Sequence, residues 1–511
     1  MWSRRFVLKN AFAGITAGAL RAEPLLRDTI DLDRERQIIE NFGASDAWSM
    51  QKLGTWSLEN RNKVADLLFS QQNGIGLSCW RFNIGGGINP EITNPWRTAE
   101  TFETSEGHYD WTRQAGERWF LGAAKARGVP QFLAFVNSPP GRMTRNGLTF
   151  CNKVEDTTNL KPGYEGQYAR YLVDILEHFR ANPDENQRIE FTYVSPVNEP
   201  QWDWAGHSQE GNRVSNEDIK RILQSLHAEL KRRNSPTQMA ALESGSLPDL
   251  WQLNAKATAA WKAPYGNYLD AFVGDPAIRP LLSERLSYHD YGSDRIAGQL
   301  VEHRTKLGEK IKQYPGCKLW MSEYCVLTGS EGKGGSGRDL TMNTALDIAR
   351  LIHLDLTLVG VSAWQWWTAV SGVNFKDGLI YTDWKKAGDP ETIYSARLLW
   401  ALGNYSRFIR PNMRRVEMAV EGQDIHGVMA SAYKDEGKRQ VVAVYVNMST
   451  VGQSRQVDFN LNQRRWTLQS LTPYITADTP GYELKQMPVM NRLSPIEIPP
   501  RSVVTVVAQF A

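Results

Sequence analysis

Two glutamates stand at the ends of apolar runs that are typical of buried β-strands. One run ends Val197-Asn198-Glu199-Pro200, and the other ends Met321-Ser322-Glu323-Tyr324. A carboxylate at the end of an apolar strand costs free energy unless it is paired or used. Two carboxyl groups that face each other suit glycoside hydrolysis, in which one attacks the anomeric carbon and the other protonates the leaving oxygen and then activates water. The two groups need different protonation states, so burial or a neighbouring charge must raise the pKa of one of them.

The elements that must position these acids follow an alternation of strand and helix. Apolar residues have helical spacing in residues 168–179 and again in residues 219–230, where Asn216 is the predicted N-cap. Eight such units predict an α/β fold, a (β/α)8 TIM barrel, in which chemistry lies at the C-terminal ends of the strands. A doubly wound open sheet is the alternative, although no G-x-G-x-x-G follows the first strand. The predicted strands are Ile38–Ala44, Gly76–Ile84, Gln131–Asn137, Ile189–Val197, Gln238–Glu243, Arg285–His289, Lys318–Glu323 and Val359–Trp367.

The chain divides into a barrel and a smaller β domain. We predict the catalytic barrel over residues 36–390, with its last helix at Ala396–Leu402. After about Gly403, short β-rich runs alternate with Asn, Gly, Ser and Pro turns, which predicts a C-terminal antiparallel β-sandwich over residues 403–511. Residues 24–35, in particular Thr29–Arg34, are predicted to add an edge strand to that domain.

Residues 1–22 are predicted to be an export signal. Ser3-Arg4-Arg5-Phe6-Val7-Leu8-Lys9 precedes an apolar, Ala- and Gly-rich stretch from Asn10 to Leu20, and the paired arginines resemble a bacterial twin-arginine signal. The apolar stretch is too short to span a bilayer, and no later stretch has the length and apolarity of a membrane span. We therefore expect export to the periplasm or the extracellular medium of a bacterium.

Charge and cysteine content exclude several classes of partner and site. The net charge of +3 falls to −1 without the four cations of residues 1–22, which lacks the electrostatic pattern of a nucleic-acid binder. No CxxC or HExxH occurs among the 511 residues, so we predict no metal, redox site or cofactor. Cys79 lies in an apolar run and is predicted to be a buried thiol. Cys317 and Cys325 flank a predicted strand roughly 25 Å long, too far to bridge.

Motifs along most of the chain resemble family 30 of the glycoside hydrolases, and most closely its endo-β-1,6-galactanase-like branch. Each motif alone is weak, and together they are specific. The resemblance implies a retaining glycosidase on a (β/α)8 barrel. The motifs are Asn41-Phe42-Gly43-Ala44-Ser45, Cys79-Trp80-Arg81-Phe82-Asn83, Asn137-Ser138-Pro139-Pro140-Gly141-Arg142-Met143, Ser287-Tyr288-His289-Asp290-Tyr291, the run from Leu402 to Pro411, and Ile498-Pro499-Pro500-Arg501-Ser502.

The resemblance also implies residue roles. Glu199 is expected to be the acid/base and Glu323 the nucleophile, both catalytic. Substrate-binding or orienting roles are expected for Asn198 at the sugar 2-hydroxyl, Arg81 beside Glu323, His289 and Tyr291 at the nucleophile or subsite, and Trp367 as the ring on which the cleaved sugar stacks. Asp46 and Trp48 are further candidates for sugar hydroxyls and faces, and Trp202 for an outer subsite.

Some of these assignments have open alternatives. A single Trp is more often a core residue than a sugar platform, and strand alternation places Trp364 and Trp366 on the face opposite Trp367. Arg142 stands where the family pattern has Trp. That cation is expected either to contact an acidic sugar or to be a solvated loop residue.

The predicted function is that of a retaining glycosidase, expected to be a monomer, with a β-linked polysaccharide or oligosaccharide as its partner. β-1,6-Galactan is the first candidate substrate, and β-xylan or another β-glycan is the alternative. A noncatalytic carbohydrate-binding protein is the alternative from another class, although both glutamates are present.

Overall fold

The computed structural model describes residues 25–152, 156–294, 297–327 and 334–511. The predicted export signal, residues 1–22, lies outside the described residues. None of the described helices combines the length and apolarity needed to cross a membrane.

Within the described residues, eight parallel strands form a closed barrel, which confirms the predicted fold. The fifth strand closes the ring, because its first part pairs with the fourth strand and its second part pairs with the sixth. The sixth and seventh strands begin and end as predicted. The eighth starts later than predicted because a π-helix occupies Asp355–Val359, and it continues to Ser371, where it pairs with Gly378–Tyr381. The barrel strands are Asn41–Ser45, Cys79–Asn83, Gln131–Phe135, Tyr193–Ser195, Gln238–Met239 continued by Ala241–Ser244, Arg285–His289, Lys318–Glu323 and Ala363–Ser371.

Helices cover the outside of the barrel. The helix that begins at Asn216 is capped by Ser215, whose Oγ accepts from the Asp218 N–H, so the predicted N-cap at Asn216 was one residue late. The α-helices are Ser49–Leu53, Leu58–Phe69, Ala115–Ala126, Glu165–Arg180, Asn216–Arg232, Ala255–Trp261, Ala297–Lys310, Met342–Leu354 and Arg397–Ser406. Short 3-10 helices are Gly141–Met143, Pro248–Leu250, Arg279–Leu282 and Ile311–Gln313, a second π-helix is Leu269–Val273, and small strands are Glu103–Ser105, His108–Tyr109, Gly378–Tyr381 and Tyr394–Ser395.

The second sheet curls around its own apolar core beside the barrel. Leu26–Ile38 pairs antiparallel with Arg414–Ala419 and parallel with Gln453–Asn460, so this strand lies inside the sheet and not at its edge. That parallel pair is a departure from the antiparallel pattern. The other strands are Val428–Asp435, Gln440–Asn447, Leu468–Ala477, Lys485–Gln486, Ile496–Ile498 and Ser502–Phe510.

The four cysteines, all within the described residues, are free thiols. Cys79 is completely buried in the second barrel strand, as its apolar setting suggests. Burial raises the pKa of its thiol to about 12, and the Arg81 charge only partly opposes this. The thiol therefore stays neutral and packs as a small apolar side chain.

A buried ion pair fixes the first strand to the β domain. Arg455 Nη1 lies 2.7 Å from Asp28 Oδ1, and both side chains are fully buried. The Tyr445 hydroxyl donates to Asp28 Oδ2 at 2.9 Å. Because a buried carboxylate without its cation is costly, this pair should matter far more than the exposed pair of Arg27 and Asp458.

We predict that Arg455→Met lowers the free energy of unfolding by about 3–5 kcal/mol, because Asp28 then loses its buried partner. Arg27→Met is the matched control and should change it by about 0–1 kcal/mol. Denaturant unfolding of both variants measures the difference. Equal losses in the two variants would contradict the assignment.

Candidate active site

The predicted site residues gather at the C-terminal ends of the barrel strands. Arg81 lies on the second strand, His289 ends the sixth and Glu323 ends the seventh. His289 and Glu323 are register partners across the sixth and seventh strands. Glu199 follows the fourth strand by four residues, in a turn.

Glu323 is held by three side chains. Its Oε2 forms an ion pair with Arg81 Nη1, which is fully buried. Its Oε1 accepts a hydrogen bond from the Tyr291 hydroxyl at 3.0 Å and lies 3.4 Å from His289 Nδ1. An adjacent guanidinium stabilises the charged form of a carboxyl group, and the hydroxyl fixes its orientation.

Glu199 lies in a backbone conformation that is uncommon for a residue other than glycine. Its φ is +43°, and its N–H donates to the Glu243 carbonyl at 2.8 Å. Non-glycine residues in the left-handed region are enriched at functional sites. The turn directs the Glu199 carboxylate to His289, whose Nδ1 lies 3.1 Å from Oε1.

The structure brings the two acids together. One ligand oxygen of Glu199, one of Glu323 and a ring nitrogen of His289 all lie within 4.8 Å of one another. Glu199 is 6% exposed and Glu323 is 3% exposed, so the carboxyl groups meet in a largely water-free setting. Two surface cavities, of about 550 and 390 Å³, lie away from these acids, and none of the predicted site residues lines them.

Glu243 is a site residue that the sequence reasoning missed. It lies on the fifth barrel strand with no side-chain exposure, and its Oε2 lies 2.9 Å from His289 Nε2 and 3.4 Å from Arg81 Nη2. Ser322 Oγ also donates to this oxygen. The signal was available, because the predicted fifth strand ended at Glu243 just as the fourth and seventh runs ended at acids.

Burial and charge separate the protonation states of the cluster. Burial raises the pKa of Glu199, and the Glu323 charge raises it further against the opposing effect of His289. Burial also favours neutral Glu243, but the charges of Arg81 and His289 outweigh it and lower the pKa to about 2. Burial alone would lower the pKa of His289, yet the carboxylates of Glu323, Glu199 and Glu243 raise it to about 9. Near neutral pH, His289 is therefore an imidazolium, Glu243 is ionised, and Glu199 is the acid best able to hold a proton.

The same three groups, Glu199, His289 and Glu323, have the spacing of a metal-binding set. A metal needs a lone pair on the imidazole, whereas the raised pKa of His289, about 9, keeps a proton on both ring nitrogens, which lie 3.1 Å and 2.9 Å from carboxyl oxygens. The protonated state of His289 therefore disfavours a metal at this place.

The predicted sugar-contacting residues differ in how they are placed. Asn198 is 3% exposed and its Oδ1 accepts from Arg81 Nη2 at 3.4 Å, which places it within the cluster. Trp202 is 40% exposed, its backbone N–H donates to the Glu199 carbonyl at 3.1 Å, and its side chain slightly opposes the raised pKa of Glu199, so it combines an open ring with proximity to the acid. Asp46 is completely buried, and its Oδ1 accepts from the Asn83 N–H at 2.7 Å. Asp46 therefore joins the ends of the first two strands, and its buried carboxyl group is not accessible to a sugar.

Trp48 and Trp367 pack against each other edge to face, with ring centroids 5.3 Å apart. The backbone N–H of Trp367 donates to the backbone carbonyl of Tyr324, which places Trp367 next to the end of the seventh strand. The two rings line a cavity of about 20 Å³, enough for a water or a hydroxyl but not for a sugar ring. Trp364 and Trp366 are fully buried, with Nε1 atoms bonded to Asp355 and to the Asp377 carbonyl.

Arg142 fits neither of the two expectations from its sequence position. Its guanidinium forms a two-point contact with Glu103, at 2.7 and 2.8 Å, and donates to Gln167 at 3.2 Å. The Arg142 side chain is 26% exposed, and that of Glu103 is 3% exposed. The cation is therefore used within the protein, where it fastens the loop after the third strand.

Comparisons with known proteins agree with this geometry. The sequence profile described as O-Glycosyl hydrolase family 30 matches residues 26–381. An endo-beta-1,6-galactanase of Hypocrea rufa is 26% identical over 491 residues, covering 90% of this chain and 88% of that protein. The crystal structure of a conserved exported protein from Bacteroides fragilis is 31% identical, with a TM-score of 0.82 and coverage of 94% and 99%. The catalytic domain of xylanase C from Talaromyces cellulolyticus is 19% identical, with a TM-score of 0.67 and coverage of 94% and 100%. This last likeness concerns the fold alone.

We predict that protonated His289 stabilises the protein in a pH-dependent way. Because its pKa is raised from 6.5 to about 9, its contribution is complete below about pH 6.5 and is lost as the pH rises through 9. The advantage of wild type over His289→Gln in free energy of unfolding should fall by about 2–3 kcal/mol between pH 7 and pH 9.5. Denaturant titrations at the two pH values measure it.

His353→Gln is the matched control. Burial, with a smaller effect of Arg415, lowers the pKa of His353 to about 3, so this imidazole is neutral throughout that pH window. Its variant should differ from wild type by the same amount at both pH values. A pH-independent difference for His289→Gln would show that His289 is not held as an imidazolium.

Proposed function

The chain belongs to O-Glycosyl hydrolase family 30 and is a glycoside hydrolase, and we propose that it cleaves β-linked glycans with retention of anomeric configuration. Glu323 attacks the anomeric carbon and displaces the leaving oxygen, which takes a proton from Glu199. Glu199 then removes a proton from water, which attacks the glycosyl ester of Glu323 and restores both acids.

The separation of the two acids is the observation that carries this proposal. Retaining glycosidases have carboxyl groups about 5–5.5 Å apart, whereas inverting enzymes leave about 6.5–9.5 Å for a water molecule. One oxygen of Glu199 and one of Glu323 lie within 4.8 Å of each other, so the two carboxyl groups approach as closely as a retaining pair needs. That distance supports direct attack by a carboxylate.

The surroundings of the acids support their division of labour. Burial raises the pKa of Glu199, as suits the acid that delivers the proton. Glu323 contacts the buried guanidinium of Arg81 and the Tyr291 hydroxyl, which hold it as an oriented nucleophile. Asn198, whose Oδ1 faces Arg81, leaves its amide nitrogen for the sugar 2-hydroxyl.

Aromatic residues are proposed to hold the sugars on either side of the cleaved bond. Trp367 is proposed to meet the sugar ring whose bond is broken outside the small cavity that it shares with Trp48, beside the end of the seventh strand. Trp202 is the most open indole of the site and touches the proposed acid, so it suits the sugar that leaves. No cofactor is needed, because both chemical steps use carboxyl groups and water.

β-1,6-Galactan is the substrate we propose first. The support is the relative of that activity, which is similar along nearly the whole of both chains. β-Xylan is the second candidate, and its support is weaker because the xylanase likeness concerns the fold alone. We also propose export, which is supported by the signal-like residues 1–22 and by the exported relative, since polysaccharides of this kind are met outside the cell.

We predict that incubation with β-1,6-galactan releases products that initially carry the β configuration at the new reducing end. Proton NMR of the anomeric signals during the first turnovers distinguishes this from the α anomer. β-1,4-Xylan and β-1,6-glucan in the same assay rank the substrates. Initial α products would contradict the assigned roles, and no turnover on any β-glycan would end the enzymatic proposal.

We predict that Glu199→Gln and Glu323→Gln fail in different ways. Glu199→Gln should lower kcat on the polysaccharide by about 10²–10⁴-fold, because general acid catalysis is lost. Its activity on an aryl glycoside with a good leaving group should be restored by azide, which attacks the glycosyl ester without a general base and gives a β-glycosyl azide. Glu323→Gln should lose several orders of magnitude in kcat and form no β-glycosyl azide.

Glu40→Gln is the control for both variants, since Glu40 is 9% exposed and pairs with Arg285 and Lys318, which begin the sixth and seventh strands at the opposite end of the barrel. It should keep kcat within a few-fold of wild type. Retained polysaccharide binding by the two inactive variants separates loss of chemistry from loss of fold. Azide rescue of Glu323→Gln in place of Glu199→Gln, with β product, would reverse the roles.

A further inference from the structure

Glu243 is a third carboxylate at the barrel mouth that a two-acid mechanism does not use. It is fully buried, and its Oε2 takes contacts from His289 at 2.9 Å, from Arg81 at 3.4 Å and from the Ser322 hydroxyl. Its Oε1 is buried and accepts no hydrogen bond from any residue that the structure describes. Two cations and a hydroxyl on one oxygen fix both the position and the charge of this group.

We propose that Glu243 is a positioning residue, which holds the His289 imidazolium between the two catalytic acids so that one N–H stabilises whichever acid is ionised. The proposal rests on the retaining mechanism given above. Glu243 contacts no reacting atom and acts through the imidazole ring.

The geometry of the ring supports this role. His289 Nε2 is anchored by Glu243, and the opposite nitrogen, Nδ1, lies 3.1 Å from Glu199 Oε1 and 3.4 Å from Glu323 Oε1. A planar ring held at one nitrogen directs the N–H of the other. Nδ1 forms a hydrogen bond with Glu199 and an ion-pair contact with Glu323, so a single N–H lies beside both acids.

The charge of the cluster stays constant during the first chemical step. Before it, Glu323 and Glu243 are anionic, Arg81 and His289 are cationic, and Glu199 is neutral. The Glu323 oxygen forms a bond to the anomeric carbon, the bond to the leaving oxygen breaks, and the proton of Glu199 passes to that oxygen. Negative charge has moved from Glu323 to Glu199, and the imidazolium faces both.

The backbone ties Glu243 to the acid/base as well. Both Glu199 and Glu243 have left-handed backbone conformations, with φ of +43° and +57°, and the Glu199 N–H donates to the Glu243 carbonyl at 2.8 Å. It is unusual for two non-glycine residues in contact with each other both to adopt this sparsely populated φ/ψ conformation. The strain indicates that both side chains are held in place for a purpose.

The ionisable groups around His289 come from five strands or strand ends. The carboxylates of Glu199, Glu243 and Glu323 face its nitrogens, and Arg81 faces the last two. Tyr291 packs edge to face with the ring at 5.8 Å and stays neutral, because burial and nearby negative charges raise its pKa well above the usual value. Removal of the Glu243 charge should thus lower the pKa of His289 and, while His289 remains charged, ease ionisation of Glu199.

Glu243→Gln tests the proposal on the full-length protein. The amide oxygen can occupy the Oε2 position, and the NH₂ group the Oε1 position, so the variant removes the charge and keeps the hydrogen bonds. Titration of ¹³C-labelled histidine by NMR, with His289→Gln for assignment, should show the His289 midpoint about one unit below that of wild type. This measurement needs no turnover, so it is independent of whether the proposed substrate is correct.

The pH profile of kcat/KM on a turned-over substrate is the second measurement. In Glu243→Gln the basic limb, where Glu199 loses its proton, should move about one unit toward lower pH. Glu40→Gln, which removes a buried acid at the opposite end of the barrel, should leave both the limb and the His289 midpoint in place. Glu243→Asp keeps the charge at a longer distance and should give intermediate shifts, which also serves if Glu243→Gln does not fold.

Two results would overturn the proposal. One is an unchanged His289 midpoint in folded Glu243→Gln and Glu243→Asp. The other is a loss of kcat/KM in these variants with both pH limbs in their wild-type positions, which is what a merely structural role predicts. A wild type without any turnover, but with a shifted His289 midpoint in the variants, would reject the proposed function and keep the role of Glu243 in holding the imidazolium.

Discussion

Charge balance in a nearly water-free space is the constraint on which the barrel mouth depends. Three carboxyl groups, Glu199, Glu243 and Glu323, share this space with two cations, Arg81 and His289, and all five side chains are at least nine-tenths buried. Burying any of these charges alone would cost several kcal/mol. A proton on Glu199, whose pKa burial raises, makes the set neutral, and each remaining charge then faces an opposite one. The burial that these groups share therefore favours a protonated Glu199 beside an ionised Glu243.

This balance requires that the strand ends are held firmly. A second buried network of ion pairs holds the end of the sixth strand in place. Asp290 follows His289 directly and forms an ion pair with Arg304, which also donates to Asp355 at 2.7 Å. Trp364 from the eighth strand donates to the other oxygen of Asp355 at 2.9 Å. The segment that carries His289 and Tyr291 is thus fixed to the helix Ala297–Lys310, to the π-helix and, through Trp364, to the eighth strand. An unanchored imidazole could not stay within hydrogen-bonding reach of three carboxylates.

The sequence predicts the barrel and the pair Glu199 and Glu323, because strand periodicity and strand-end acids are local signals. It also places Arg81, His289 and Tyr291 near the acids, through family motifs. What it does not predict depends on long-range packing. Asp46 is buried and accepts a hydrogen bond from the Asn83 backbone. Arg142 forms an ion pair with Glu103, which belongs to a hairpin about forty residues earlier in the chain. The position of Leu26–Ile38 inside its sheet is set by strands more than 370 residues away, which no local pattern reports.

A preorganised set of charges lowers a reaction barrier when the charge that moves is already stabilised at both ends. Here the negative charge would pass from Glu323 to Glu199, and His289 Nδ1 lies within 3.4 Å of both. Arg81 remains with Glu243 once Glu323 becomes an ester, so the guanidinium is not left unpaired during the intermediate. Glu243 therefore remains the anionic partner of both Arg81 and His289 throughout the reaction. A barrel with only the two reacting acids would leave the guanidinium without an anion once the ester forms, and Glu243 prevents this without the movement of either cation.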